Sequence, residues 1–245
     1  MQIIWYDTVD STNTVALKKA AGLEDCAVIA ARRQTAGRGQ RGNTWTSEPG
    51  ENLTFSVFLR WPSGFAAGDV IRMNWLAAVA VRDFLQEEGV PAVIKWPNDI
   101  YVGKKKICGI LVENRLSERF SVIGIGINLN QTDFPASLPN PTSLRLLTGR
   151  RSEAEEALER FMTHFVQIAE DLVLPNGTKQ TQDSLFSAYG YSLFQKDIPS
   201  PYRDLRSGEL FTGIIRGVSP TDGRLLMERS ASHVLYGFKD IGYII

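Results

Sequence analysis

Hydrophobic positions along this chain alternate at some stretches and recur every three or four residues at others, and the switches between the two rhythms mark out its elements. Residues 2–6 read as a short strand. Asp10-Ser11-Thr12-Asn13 then offers N-cap side chains, and Val15, Ala16, Leu17, Ala20 and Ala21 continue as a helix that Gly22 can close. A strand over about 27–34 precedes a glycine-rich loop, and a second strand covers about 52–60. Over 69–88 the residues Val70, Met73, Trp75, Leu76, Val79, Ala80, Phe84 and Leu85 fall near helical spacing, with Gly89 as terminator.

Three β-rich pieces follow, Ala92–Trp96, Lys106–Asn114 and Phe120–Asn130, with Tyr101-Val102-Gly103-Lys104 as the expected turn between the first two. The proline-bearing segment 131–141 reads as loop. Ser152 is placed to cap a helix running to about 172, with Leu158, Phe161, Phe165 and Ile168 on one face, and helical character resumes near 180–189. After Tyr191 the texture changes to short strand-like runs, Leu210–Val218, Arg224–Glu228 and Val234–Phe238, joined by turns such as Ser219-Pro220-Thr221-Asp222-Gly223. The expected fold class is therefore α+β: a catalytic-sized domain over 1–190, with helices on a mixed or antiparallel sheet, and a small β-barrel over 191–245.

Composition narrows the function. The chain has 245 residues, 43% hydrophobic and 22% charged, which suits a water-exposed globular protein with a substantial core. Lys+Arg and Asp+Glu balance at 27 each, so no global positive field would hold a nucleic acid. No run approaches the roughly 20 apolar residues that span a bilayer. The opening Met1-Gln2-Ile3-Ile4-Trp5-Tyr6-Asp7 lacks the pattern of a secretory signal, and Cys26 and Cys108 form no disulfide or metal spacing. Cytoplasm is the expected location.

Against that neutral background the local cationic segments stand out. Gly37-Arg38-Gly39-Gln40-Arg41-Gly42 places three glycines and two arginines in six residues, a composition that can aim backbone N–H groups and fixed charge at an anion, most naturally phosphate. It also fits a plain exposed hairpin loop. Lys95-Trp96-Pro97-Asn98-Asp99 is either a strand end with a structural turn or part of the same site. Lys106 differs from Lys104 and Lys105 because the apolar run Ile107-Cys108-Gly109-Ile110-Leu111-Val112 begins immediately after it. In Gly124-Ile125-Gly126-Ile127-Asn128 alternate glycines leave one strand face bare, for a close neighbour or for a flat ligand. Ser11-Thr12-Asn13 is a helix cap that could equally hold a small polar group. His164 and His233 have no partners at ligand spacing. Ser-His-Asp, His-Glu-x-x-His and Walker patterns are absent, which removes the common hydrolase and P-loop explanations.

Taken in order, these motifs resemble those of biotin–protein ligases: Ser11-Thr12-Asn13; Gln34 through Gly42 with Trp45 beyond; Lys95 through Asp99; Lys106 through Glu113; Gly124 through Asn128; and, in the tail, Gly213 through Gly217 and Tyr236-Gly237-Phe238. The resemblance covers nearly the whole chain. It implies a class II synthetase-like core with an SH3-like C-terminal barrel. The implied activity converts biotin and ATP, with Mg²⁺ as activator, to biotinyl-5'-AMP and passes the biotin to a lysine of a biotin carboxyl carrier protein. Lys106, Arg38, Arg41 and Asp99 would carry the chemistry. Ser11, Thr12, Asn13, Gln34, Gly37, Arg38, Lys106, Gly109, Gly124 and Gly126 would hold biotin. Gly39, Gln40, Arg41, Gly42, Trp45 and Asn128 would lie toward the nucleotide, and the resemblance names no metal ligands. Because the first strand begins at residue 2, the expected type lacks a DNA-binding segment; it would act as monomer or homodimer, away from nucleic acid and membrane. Gln40 departs from the arginine of the family pattern, a change expected to loosen the hold on biotinyl-AMP unless Arg41 compensates.

Two rivals remain at this level. A lipoate ligase or octanoyltransferase has a related core, although the transferases need a nucleophilic cysteine. A non-catalytic nucleotide- or RNA-binding module would use the arginine-glycine loop alone, against which the neutral charge argues.

Overall fold

A βαβ unit opens the chain: strand β1 (Ile3–Val9), helix α1 (Thr12–Lys19) and strand β2 (Val28–Gln34), the two strands pairing in parallel. Beyond the glycine loop come β3 (Leu53–Arg60), helix α2 (Ile71–Glu87), a hairpin of β4 (Ala92–Lys95) and β5 (Asp99–Val102), and the long pair β6 (Lys105–Arg115) and β7 (Phe120–Ile127). These strands form one seven-stranded mixed sheet in the order β1-β2-β3-β7-β6-β5-β4. Helices α3 (Leu144–Thr148), α4 (Ala154–Val173) and α5 (Lys179–Tyr191) follow. Strands β8 (Ser200–Asp204), β9 (Leu210–Val218), β10 (Leu225–Arg229), β11 (Ser232–Tyr236) and β12 (Ile241–Tyr243) build a five-stranded antiparallel sheet, ordered β11-β10-β9-β8-β12. The computed structural model describes residues 1–61, 64–173 and 179–245; the side chains of Arg41, Ala67, 171–173 and 179–182 also lie outside that description. The architecture is the expected α+β class, and the second sheet fits an SH3-like unit.

Strand alternation sorts the large sheet into two faces. Leu53, Phe55, Val57 and Leu59 of β3 enter the main core with α2 and α4, where the Phe55 and Phe161 rings meet edge-on at 5.0 Å. Each such fully buried side chain contributes roughly 1.5–3 kcal/mol. On the opposite face Phe58, Ile29, Phe120 and Val122 pack under α1 with Ala16 and Leu23. That second cluster stops short. Where it would continue toward the β4–β5 hairpin, the outward positions are Thr54, Ser56, Gly109, Gly124 and Gly126, too small to fill the space, and a cleft is left.

The second sheet joins the main core through Tyr202, Ile215, Leu225, Met227 and Tyr236. Trp96 fastens it: its indole N–H donates to the Gly223 carbonyl at 2.9 Å, and its ring packs on Phe238 with centroids 5.1 Å apart.

Several elements differ from expectation, each for a local reason. Tyr101-Val102 belongs to β5, and the turn is confined to Gly103-Lys104, where Gly103 takes φ +56°. Four-residue strands are too short to display alternation. Helix α3, capped by the Ser143 hydroxyl accepting from the Leu146 N–H at 3.2 Å, lies beyond the 131–141 loop in a stretch given no element from the sequence, because five residues are too few to repeat a helical period. Strand β8 escaped notice because two of its inward residues, Ser200 and Asp204, are polar. Ser152 does not cap α4. It exchanges hydrogen bonds with Asn130 instead, N–H to Oδ1 at 2.9 Å and Nδ2 to its carbonyl at 2.8 Å, and the helix starts at Ala154.

Candidate functional site

The floor of the cleft follows from strand register. Thr54 of β3 pairs with Gly126 of β7, Gly126 with Gly109 of β6, Gly109 with Asp99 of β5, and Asp99 with Lys95 of β4. Directly paired residues share a face, so this row runs across five strands from a hydroxyl, over two glycines, to two charged groups. One step along, Ser56 pairs with Gly124 and Gly124 with Leu111.

At one end α1 lowers its first turn onto the floor. The Thr12 N–H donates to Gln34 Oε1 at 2.8 Å, so the helix is capped by a glutamine from β2, while Ser11 occupies the cap position without a side-chain bond. Ser56 Oγ lies 2.7 Å from Thr12 Oγ1 and 2.6 Å from Asn13 Oδ1. Asn13 Nδ2 donates to Glu113 Oε2 at 2.8 Å. A Cβ at Gly124 would overlap the Asn13 amide, which explains that glycine by space and not by backbone angle. The result is a buried polar wall of hydroxyls and amides, each held by its neighbours.

At the other end a β-bulge aims the lysine. Ile100 pairs with Cys108 but Tyr101 pairs with Lys106, so β6 carries one extra residue, Ile107. In a regular strand Lys106 would share the core face with Cys108; the bulge sends Ile107 into the core and turns Lys106 into the cleft. There its Nζ sits 2.6 Å from Asp99 Oδ1. The loop after β7 pins this strand, with Lys106 N–H donating to the Asn140 carbonyl at 2.7 Å and Thr142 N–H to the Lys106 carbonyl at 2.9 Å.

The glycine-arginine loop folds back as a small hairpin, with Arg38 bridged to Thr44 and a tight turn over Gln40–Gly42 in which Gly42 takes φ +85°. Its amides are not all turned to one point as the composition suggested: the Gly39 N–H is taken by the Asn43 carbonyl at 2.7 Å. Arg38 forms a fork with Glu113 of β6, 2.6 Å and 3.2 Å, tying the loop to the polar wall. The Arg41 side chain lies outside the described residues. Trp45 lies over the glycine floor: a Cβ on Gly126 would overlap its indole, and one on Gly109 would come within 3.0 Å of it. Its indole nitrogen is buried and, among the described residues, unpartnered.

Two cavities result. The first, about 250 Å³, is bordered by the polar wall of Ser11, Thr12, Asn13 and Gln34, by Arg38, Gly39, Gln40 and Trp45 of the loop, and by Gly109, Gly124, Gly126, Asp99 and Lys106. The second, about 510 Å³, shares Trp45, Asp99 and Lys106 with it and adds Asn128 and Lys95. Gly37 and Gly42 face a separate outer recess beside Glu113. Sequence reasoning missed Ser56 and Phe238 as lining or supporting groups. A serine inside the apolar run Thr54-Phe55-Ser56-Val57-Phe58 was a readable signal; Phe238 was legible as part of the Tyr236-Gly237-Phe238 motif, but its place at the cleft was not, because it follows β11 of the other sheet.

Cys108 points into the core, and burial drives its thiol far up from the ordinary range. Burial, opposed by Asp99 and reinforced by Lys106, lowers the pKa of Lys95. Among the described residues no group of three or more His, Cys, Asp or Glu gathers to hold a metal, and the one carboxylate bordering the two cavities, Asp99, is paired with Lys106. These side chains do not fit a protein-built Mg²⁺ cage. No helix among the described residues is long and apolar enough to cross a membrane.

A fold with this topology has solved counterparts. The biotin protein ligase from Aquifex aeolicus in complex with biotin and ATP superimposes with a TM-score of 0.80 at 24% identity, covering 98% of this chain and 97% of that one, a likeness of fold. Residues 5–130 match the biotin/lipoate A/B protein ligase family, and the chain belongs to that family. It is 37% identical over 168 residues to the biotin--[acetyl-CoA-carboxylase] ligase of Paracoccus denitrificans, covering 64% of this chain and 69% of that protein. To the bifunctional ligase/repressor BirA of Bacillus subtilis it is 34% identical over 171 residues, 66% of this chain and 52% of that one. The chain thus spans about half the length of the BirA relative.

Proposed function

We propose that this protein adenylates biotin with ATP and transfers it to a lysine of a biotin carboxyl carrier protein. One juxtaposition carries the reading: a buried polar wall and the charged Lys106 face each other across a glycine floor inside a single cavity. The wall suits a ureido ring, which needs donors and acceptors together. The glycine floor suits a flat apolar body. Lys106 suits the point where a carboxylate must approach a phosphate.

That approach sets anion against polyanion. Two unit charges about 4 Å apart repel by ~4 kcal/mol at an effective dielectric near 20. In the first step a biotin carboxylate oxygen attacks the α-phosphorus, the bond to the β-phosphate oxygen breaks, and pyrophosphate leaves. Lys106 offsets the repulsion on one side, with Arg38 and Arg41 of the loop assigned to the other; Arg38 must first leave Glu113. In the second step the carrier's uncharged ε-amine attacks the acyl carbon and AMP departs. Asp99, which borders both cavities, orients that amine or accepts its proton. Mg²⁺, when bound, would neutralise phosphate charge. Residues 191–245 are proposed as a distinct unit that supplies Phe238 to the rim.

A transferase using a thiol is disfavoured by the burial of Cys108. The deciding experiment supplies ATP, a carrier domain and either biotin or lipoate, then weighs the carrier. Biotin addition is expected; lipoate addition in its place, or none, overturns the proposal. Gln40, at the cavity edge, sets a further expectation: Gln40→Arg should slow dissociation of biotinyl-AMP, and an unchanged off-rate would remove any role for that position in retaining it.

A further inference from the structure

The second cavity contains a charged group that the reaction above leaves unused. Lys95 ends the paired row Thr54, Gly126, Gly109, Asp99, Lys95, on the same face as the glycine floor. Its register partner Asp99 turns to Lys106 instead, 2.6 Å away. The Lys95 ammonium therefore stands over ring faces, 5.0 Å from the Tyr101 centroid and 4.8 Å from that of Tyr243, and among the described residues it has no carboxylate partner. Aromatic faces favour a cation but accept no strong hydrogen bond, so the three N–H groups of a half-buried ammonium lack acceptors. Such a group gains from any anion that comes within reach.

Position decides which anion. Trp45, Asp99 and Lys106 border both cavities, so a ligand whose reacting end lies at Lys106 can extend past it into the second one. That space is also walled by Asn43, Thr44, Thr46 and Asn140, which offer amide and hydroxyl donors, and it contains no carboxylate other than the paired Asp99. Volume, donors and a net positive pair of lysines against one aspartate match a chain of phosphates better than a carboxylate or a sugar. We propose that Lys95 is a second phosphate-binding residue, holding the leaving diphosphate end of the nucleotide while Lys106 serves the reacting centre. This rests on the ATP-dependent reading above. It differs from that reading in its consequence: Lys95 governs nucleotide and pyrophosphate affinity, not biotin affinity. Tyr101 and Tyr243 act as positioning residues that keep the ammonium extended, and through Tyr243 the second sheet takes part in nucleotide binding.

The test uses Lys95→Met, which keeps the apolar stem between the rings, and Lys95→Arg, which keeps the charge. Biotinyl-AMP formation is followed while ATP and biotin are varied separately, and inorganic pyrophosphate is titrated onto the protein alone by calorimetry. Lys95→Met should raise the KM for ATP and the Kd for pyrophosphate about tenfold or more, the loss of a charged hydrogen bond. The KM for biotin should stay within about twofold, and Lys95→Arg should recover most of both losses. Unchanged ATP and pyrophosphate affinity in Lys95→Met overturns the proposal, and so does an equal loss for ATP and biotin, the mark of a merely structural role. Failure of the wild-type protein to make biotinyl-AMP while still binding pyrophosphate through Lys95 would sink the ligase reading and leave this site standing.

Discussion

Gly124 and Lys106 show how single positions set this site. At Gly124 the constraint is steric, since any Cβ would strike the Asn13 amide that Ser56 and Glu113 hold in place. Gly124→Ala should cost about 1–3 kcal/mol by overpacking and lower biotin affinity at least about tenfold; a thermal melt with a biotin titration checks it, and wild-type affinity would contradict the assignment of that wall. At Lys106 the constraint is charge. The side chain is a third exposed, so Lys106→Ala should leave the melting temperature within a few degrees. Pyrophosphate release should fall by ~10²–10³, the usual effect of removing one such donor. Retention of the wild-type rate would refute the assignment.

Among the elements, the β4–β5 hairpin has the largest influence for its length. It presents Lys95 and Asp99 to the cleft from one side and Trp96 to the second sheet from the other. Trp96→Phe would keep the contact with Phe238 but leave the Gly223 carbonyl without its donor. A loss of about 1–3 kcal/mol in denaturant unfolding is expected; no loss would mean that the two sheets are fastened elsewhere. The bulge in β6 matters as much, because one inserted residue exchanges the faces on which Ile107 and Lys106 lie.

For the molecule as a whole, burial makes the fold sensitive to alkali. Burial, aided by Asp25, pushes the Cys26 thiol from 9.0 up to about 11. Burial, with Asp99, pushes the Tyr101 phenol from 10.0 to about 12. Both groups are neutral in the fold while the unfolded chain ionises first. Their contribution is thus complete below pH 9, erodes between 9 and about 11 for Cys26, and between 10 and about 12 for Tyr101. The melting temperature should fall through that window, and Cys26→Ala should flatten its first part. An equally steep fall in the variant would assign the sensitivity to other groups.

Much of this protein could be read from its residues alone. Periodicity located β2, β3, α2, α4, β7 and β9, because long elements with one apolar face repeat their pattern often enough to be seen. The order of the glycine, lysine and serine motifs pointed to the family before any of them had a position. What sequence could not supply were relations across strands. The bulge that turns Lys106 into the cleft depends on pairing with β5, and the row ending in Lys95 exists only once five strands are in register. Arg38 has a partner in Glu113 that lies far along the chain, and Tyr243 reaches Lys95 from another sheet. Local sequence fixes which backbone conformations and burial patterns a segment favours; which charged groups share a cavity depends on long-range pairing, and folding settles that.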